Sequence, residues 1–209
     1  MHRLTASSMA KKRTGKTEST NVRRNGRLEA SDLVTAGLHL LAHGGVEAVR
    51  LDHLTRTLGV TKGGFYYYFK SKAELLQAML AQWRRDATLD VIERLETHES
   101  PEERLKQLID LPATSSDERQ SLELSIRLWA KHDSRAAAAV DEVDQHRLAY
   151  VASLLRITGV AENRVDATAY LIYAFVLAEH LISAKSAKRS VSSQTLRTLV
   201  GEFVQGRKA

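Results

Sequence analysis

Cysteine is absent from this chain, and proline occurs only twice. Without cysteine the protein has no disulfide and no thiolate metal ligand, which is compatible with the reducing cytoplasm where we expect it to reside. The scarcity of proline favours a fold built from helices, because proline breaks a helix interior. Apolar runs that alternate with period two, the pattern of strands, are lacking as well.

A long apolar run is also missing. The richest candidate, residues 167–182, contains Glu179 and His180 and is shorter than the roughly 20 residues that a membrane-spanning helix needs. The first 27 residues are polar and contain no apolar segment of the secretory type. We therefore expect no membrane partner.

Motifs of the common enzyme classes are missing too. The chain has no glycine-rich phosphate loop with its lysine and no GxSxG sequence. Glu142 and His146 lie four residues apart and could hold a metal ion, but no third ligand accompanies them, so a solvated ion pair is the better interpretation. We predict a protein that is not an enzyme, with no catalytic residue, no metal and no cofactor. A helical metal-dependent enzyme or scaffold is the alternative.

Positive charge is present, and it is concentrated at the N-terminus. Residues 1–27 hold eight Lys and Arg against one Glu, in a chain whose net charge is +6. One interpretation is a disordered basic arm that lies along DNA, since a basic segment beside a recognition module is typical of nucleic-acid binding. A solvated charge run or an artefact of expression explains the same composition.

The most informative stretch, GVTKGGFYYYFKSK, spans residues 59–72. Gly59 supplies the backbone freedom that a tight turn between two helices requires, and Thr61 is predicted to cap the next helix. Residues 62–64, Lys-Gly-Gly, then form its first turn. Two glycines cost a helix about 1 kcal/mol each relative to alanine, a cost that close approach to DNA would account for.

The aromatic residues that follow complete a surface suited to DNA. Phe65 and Phe69 share one helix face and are predicted to pack inward. The three tyrosines at 66–68 cannot all be buried with them, so some hydroxyls face outward, where they can donate to phosphate oxygens. The residues predicted to bind DNA are Arg50, Thr61, Lys62, Gly63, Gly64, Tyr66, Tyr67, Tyr68, Lys70 and Lys72.

Helical patterns flank this stretch on both sides. Apolar residues repeat at helical spacing over 28–43, where a glycine pair supplies a stop, and again over 51–58. A further helix begins at Lys72. In this region the chain resembles transcriptional regulators of the tetracycline-repressor (TetR) family. The residues that carry the resemblance are Ala36, Gly45, Leu54, Gly59, Val60, Thr61, Gly63, Phe65, Tyr66, Phe69, Lys72 and Leu75.

The resemblance implies an all-α protein in three parts. These are the disordered basic arm at 1–27, a helix-turn-helix DNA-binding domain at 28–73, and a helical ligand-binding and dimerisation domain at 74–209. It also implies a homodimer on a palindromic operator in double-stranded DNA.

Three residues depart from the family pattern. Arg50 stands where the family usually has Thr, Thr55 where it has Ala, and Tyr68 where His is frequent. We interpret Arg50 as a phosphate contact in place of a cap, and Tyr68 as a neutral hydrogen-bond donor.

The second domain is predicted to be helical throughout. A helix starts at Pro101, runs to about Ile109 and is ended by Pro112, and the penultimate helix covers 162–184. Apolar residues surround most of that penultimate helix, which indicates burial on more than one side. We predict that it pairs, with the last helix, against the same two helices of a second copy. A helix buried inside a monomer is the alternative.

A ligand-binding face is the least specific of the predictions. On the penultimate helix, apolar and hydrogen-bonding side chains recur at i, i+3, i+7 and i+10, and two aromatic residues on neighbouring helices could face them. Ordinary core packing explains the same pattern. The residues predicted to bind a ligand are Trp129, Tyr150, Tyr170, Tyr173, Leu177 and His180.

The resulting prediction of function is a homodimeric repressor that a small-molecule effector releases from its operator. A DNA-binding activator or nucleoid-type protein without ligand control is the alternative. The identity of the effector is not readable from these residues.

Overall fold

The computed structural model describes residues 28–181 and 192–205, and every regular element within these two ranges is a helix. The predicted all-α fold is therefore confirmed. No helix within the two ranges is both long and apolar enough to cross a bilayer. The predicted basic arm, residues 1–27, lies outside the described residues.

The N-terminal helices are α1 (Ala30–Ala48), α2 (Leu51–Leu58), α3 (Lys62–Tyr68) and α4 (Lys72–Arg84). A π-helical turn, Arg85–Leu89, joins α4 to α5 (Asp90–Glu96). The chain continues through α6 (Pro101–Thr114), α7 (Asp117–Ala130), α8 (Ser134–Ile157), α9 (Glu162–Leu181) and α10 (Ser193–Gln205).

Hydroxyl side chains begin several of these helices. The Thr61 hydroxyl accepts a hydrogen bond from the Gly64 N–H at 3.2 Å, as predicted, and Ser71, Ser100 and Ser116 cap α4, α6 and α7 in the same way. Each such bond satisfies one of the N–H groups that a helix start leaves without an internal partner. The starts of these helices therefore follow from local chemistry.

Two predicted helix ends differ in the structure. The glycine pair does not end α1; Gly45 has a φ of 68°, which kinks the helix, and the chain continues helically to Ala48. Pro112 does not end α6 either, which runs on to Thr114. A proline removes only its own N–H from the hydrogen-bond ladder, and one this near the C-terminus of a helix costs little further structure.

Buried residues within the described ranges form two apolar clusters. The first joins the inner faces of α1 to α4 with α7 and α8, including Trp83 and Trp129, and the second joins α5, α6, α8 and α9. Helix α1 packs closely along α4, where a Cβ added to Gly37 would lie 2.7 Å from Met79 Sδ. The N-terminal helices thus rest directly on α7 and α8.

Candidate functional site

Helix α3 is held by its inner face. Gly59 ends α2 in the left-handed conformation with φ 63°, and the Val60 N–H donates to the Thr55 carbonyl at 2.9 Å. Phe65 and Phe69 are buried in the first apolar cluster, as predicted from their spacing. This anchoring fixes which side of α3 faces outward.

The outward side of α3 and the start of α4 are polar and accessible. The exposed fraction is 55% for Tyr66 and 73% for Tyr67. Five further residues of the predicted DNA-binding set are exposed around them, namely Thr61, Lys62, Gly63, Lys70 and Lys72. The surface therefore combines phenol and ammonium donors with no carboxylate in the first turn of α3.

The interior of the protein does not require glycine at positions 63 and 64. Among the described residues, a Cβ at Gly63 would meet only the Thr61 hydroxyl, at 3.6 Å, which is an ordinary van der Waals distance. At Gly64 the nearest atom would be Val60 Cβ, at 3.7 Å. Alanine would therefore fit at both positions and would favour the helix.

The Tyr68 hydroxyl is already used within the protein, contrary to the prediction that it contacts phosphate. It donates a short hydrogen bond to the carbonyl of Leu28, just before α1. A phosphate oxygen can only accept, so this proton is not available to it in the described conformation. Tyr68 instead ties the end of α3 to the point where the chain enters α1.

Arg50 occupies the position before α2 and is exposed. Its side chain makes no capping hydrogen bond, and its Nε lies 3.7 Å from the Asp52 carboxylate. Salt bridges this exposed are weak. The guanidinium is therefore able to reorient toward another anion.

A largely apolar cavity of about 120 Å³ lies between the π-helical turn and helices α5 to α9. Its walls include Trp83, Val91, Leu95, Leu108, Leu111 and Val176. Thr88 and Tyr150 also line it, and their hydroxyl oxygens are buried without a hydrogen-bond partner among the described residues. A buried polar group without a partner is costly, so these two hydroxyls favour a ligand or water in the cavity.

One wall of the cavity is an ionic cluster. The Glu123 carboxylate accepts from Arg127 at 2.8 Å and from Arg147 at 3.1 Å, and Arg127 also pairs with Asp144 at 2.6 Å. The Tyr173 hydroxyl donates to Asp144 at 2.5 Å. Arg147 further donates to the Ala87 carbonyl at 3.1 Å, which connects the cluster to the π-helical turn.

The charges of this cluster compensate one another. Burial alone would raise the pKa of Glu123, but the charge and hydrogen bonds of Arg147 and Arg127 outweigh it and hold the pKa below its usual range. Burial raises the pKa of Tyr173 to about 12, so its hydroxyl keeps its proton. The cluster is therefore a fixed polar wall without an excess of either charge.

Burial also raises the pKa of Asp86, a cavity residue on the π-helical turn. The hydrogen bond from Gln82, at 2.6 Å, opposes this rise. Asp86 thus lies on the α4 side of the cavity. It belongs to the helical line, the continuous helical segment that runs from the exposed Lys72 through α4 and the π-helical turn into α5.

The structure brings together only part of the predicted ligand-binding set. Tyr150, Tyr173 and Leu177 line the cavity. Trp129 is buried instead in the first apolar cluster, six residues beyond Glu123 along α7. The His180 side chain lies outside the described residues.

Tyr170 is 63% exposed and does not line the cavity. The buried face of α9 is centred on Ala169, Ile172 and Val176, and the rotation of about 100° per residue carries Tyr170 beyond its edge.

Sequence reasoning missed Thr88, Glu123 and Arg147. Two of these are charged residues of the kind that is usually exposed, and their pairing across helices gave no local signal.

Comparison with known proteins agrees with this architecture. Residues 33–79 match the family model described as bacterial regulatory proteins, tetR family. The HTH-type transcriptional regulator SrpR of Pseudomonas putida is 34% identical over 82 residues, covering 39% of this chain and 34% of SrpR. TtgW, also an HTH-type transcriptional regulator of Pseudomonas putida, is 38% identical over 58 residues, covering 28% of this chain and 43% of TtgW. The chain thus spans less than half the length of these curated relatives.

Solved structures share the fold over most of the chain. A transcriptional regulator from Saccharomonospora viridis, in complex with choline, has a TM-score of 0.71 at 19% identity and covers 85% of this chain and 96% of its own. FadR of Bacillus subtilis, in complex with stearoyl-CoA, has a TM-score of 0.62 at 15% identity and covers 84% and 97%. Identities this low show the fold alone. Residues 33–79 therefore match the tetR family of bacterial regulatory proteins, within a fold that the chain shares with solved transcriptional regulators.

Proposed function

We propose that the protein is a homodimeric, DNA-binding transcriptional repressor that a small-molecule effector releases from a palindromic operator. The observation that carries the proposal is the outward face of α3, where two glycines that the interior does not need stand beside exposed lysine and tyrosine donors. The first turn of a recognition helix is the part that reads base edges in the major groove. Glycine there lets the backbone approach the DNA.

The dimer is supported by the outer side of α9. That side includes the exposed residues Ala167, Tyr170 and Leu171 and the half-buried residues Ala174 and Ala178. Leu171 is 55% exposed, and Leu199 on α10 is 53% exposed. Small residues beside large apolar ones let two helices approach closely, and an apolar stripe on adjacent helices is typical of an interface between copies.

The effector site is proposed to be the 120 Å³ cavity. Trp83 and residues 86–88 form one side of it, and they belong to the helical line that starts at Lys72 in the DNA-facing surface. A ligand that widens the cavity would displace this line and move α3 with it. The unpartnered Thr88 and Tyr150 hydroxyls would bind a polar group of a small, mainly apolar molecule.

A second cleft between α6 and α10 is larger, at about 500 Å³, but it is more open and is lined by charged residues such as Glu102, Lys106 and Asp110. It does not include residues of α4 or the π-helical turn. It is therefore less suited to passing a signal to α3.

The energetics of release set a requirement on the effector. Two recognition helices must lie roughly 34 Å apart, or a multiple of it, to enter successive major grooves. Reversing an equilibrium from 1:99 to 99:1 takes about 5.5 kcal/mol, so the effector must prefer the DNA-incompetent state about 10⁴-fold.

Selection of bound sequences from random double-stranded DNA tests the proposal. We expect a short palindrome, bound by one dimer, and a subset of screened small molecules that release it. Binding without sequence preference would favour the nucleoid-type alternative. A palindrome that no compound releases would leave DNA binding intact and contradict effector control.

A further inference from the structure

Three metal-ligating side chains meet where α1 touches α7. His39 and His43 lie four residues apart on α1, and Glu118 lies in the first turn of α7. One ligand atom from each side chain lies within 4.8 Å of the other two. All three residues are exposed, so an ion can reach them from solvent.

The hydrogen bonds of the two histidines leave suitable lone pairs. His43 Nδ1 lies 2.8 Å from the His39 carbonyl, which can only accept, so Nδ1 carries the proton and Nε2 keeps its lone pair. Histidine ligands typically donate their other ring N–H to a carbonyl or carboxylate in this way. His39 Nδ1 lies 2.7 Å from Glu118 Oε1, a carboxylate oxygen that accepts its proton, so His39 likewise keeps the lone pair of Nε2. The two imidazole rings are 4.3 Å apart.

We propose that His39, His43 and Glu118 bind one divalent transition-metal ion, of the Zn²⁺ or Ni²⁺ class. Two imidazoles and one carboxylate are a ligand set that Zn²⁺ accepts, with water in the remaining position, and two histidines at i and i+4 share one helix face. Ligand atoms around tetrahedral Zn²⁺ are about 3.3 Å apart, given bonds of about 2.0 Å. Rotamer changes of exposed side chains cover that adjustment. Mg²⁺ and Ca²⁺ are excluded by their preference for oxygen ligands.

The site connects the DNA-facing helices to the cavity. Helix α1 packs on the helices that hold α3, whereas α7 carries Leu122 and Glu123 of the cavity wall. An ion bound to both helices holds α1 against α7 and stabilises the packing of these two helices that the structure shows. The site does not depend on the proposed operator or effector, so it can be tested apart from them.

Titration of the untagged full-length protein with Zn²⁺, followed by calorimetry, tests the proposal directly. We expect one ion per chain, and at least about a tenfold weaker Kd for His39→Ala, His43→Ala and Glu118→Gln. His146→Ala, a histidine outside the cluster, is the matched control and is expected to leave the Kd unchanged. Zn²⁺ at about 100 times its Kd is expected to raise Tm by roughly 5 to 10 °C in the wild-type protein and not in His43→Ala.

Folding of the variants separates metal binding from simple loss of structure. Within the described part of the chain, His43 hydrogen-bonds only to a carbonyl of its own helix, so His43→Ala without metal is expected to keep the wild-type Tm. Co²⁺ in place of Zn²⁺ is expected to give visible absorption that His43→Ala abolishes. Zinc binding that the His146→Ala control weakens as much as His43→Ala, or the absence of any Tm shift in the wild-type protein, would overturn the proposal.

Discussion

The glycines at the start of α3 destabilise the helix in the free protein, and the proposed DNA binding would offset that cost. Gly63 lies within the helix, is exposed, and has room for a side chain. Alanine at this position would lower the conformational entropy of the unfolded chain and favour the helix. The residue best suited to stability is therefore not the one present.

Gly63→Ala is expected to raise the free energy of unfolding by about 0.4 to 1 kcal/mol and to weaken operator binding. The physical reason is that the added Cβ fits the protein but occupies the space between α3 and the groove. Urea unfolding and operator titration of the same variant measure the two effects. Unchanged operator affinity would remove close backbone approach as the explanation for this glycine.

Lys62 and Lys72 are proposed to contact different parts of the DNA. Lys62→Ala is expected to cost about 1 to 3 kcal/mol on the operator and less on scrambled DNA, because a lysine in the first turn of α3 is placed to read a base edge. Lys72→Ala is expected to weaken binding equally on both and to lower the salt slope by about one unit per subunit. Lys131→Ala, an exposed lysine at the far end of α7, controls for the loss of charge. Equal losses on both DNAs for Lys62→Ala would make it a phosphate contact only.

At the scale of elements, the helical line from α4 to α5 carries both ends of the proposed signal. Its start, at Lys72, is in the proposed DNA-facing surface, and its π-helical turn lines the cavity. The turn is held from α8 through the hydrogen bond from Arg147 to the Ala87 carbonyl. π-helical turns interrupt the regular ladder and are frequent at functional sites, which suits an element that must shift.

Glu123→Gln is expected to destabilise the protein by about 3 to 5 kcal/mol at pH 7, because it leaves Arg127 and Arg147 short of a buried counter-charge. The pKa of Glu123 is lowered on folding, so its contribution is fully present above the unfolded value of about 4.3 and is lost as the pH falls through the folded value. The difference between wild type and variant is therefore expected to shrink below about pH 4. Urea unfolding at pH 7 and at pH 3 measures it. Equal stability at pH 7 would contradict the role assigned to the cluster.

At the scale of the whole molecule, the proposed dimer decides whether two α3 helices can read one operator. Its interface is assigned to the apolar outer sides of α9 and α10, away from the cluster that holds α1 to α4. A symmetric pair would double the DNA contacts and align with a palindrome.

Leu171→Glu is expected to raise the Kd of the dimer at least about a hundredfold, because an unpaired carboxylate in an apolar interface is costly to desolvate. Leu128→Glu is the matched control, since Leu128 is similarly exposed but lies on α7. Sedimentation or light scattering measures the mass, and operator titration measures the consequence for DNA. A dimer that persists in Leu171→Glu, or that Leu128→Glu breaks equally, would place the interface elsewhere.

The sequence by itself determined the all-helical fold, several helix starts and the helix-turn-helix of this protein. The signals are local. Gly59 ends α2, and the Thr61 hydroxyl caps α3 by accepting from the N–H three residues further on. Phe65 and Phe69, four residues apart, share one buried face. Such interactions are formed within a single turn, so they are readable without knowledge of the fold.

Only the tertiary structure decided which side chains meet across helices. Arg147 and Glu123 are 24 residues apart, the Tyr68 hydroxyl and the Leu28 carbonyl 40, and His39 and Glu118 79. No periodicity encodes such pairs, because they depend on how the helices pack and rotate against one another. For that reason the sequence predicted the turn at Gly59, the cap at Thr61 and the inward face of α3, whereas the cavity, its ionic wall and the histidine cluster emerged only once α1, α7 and α8 were placed together.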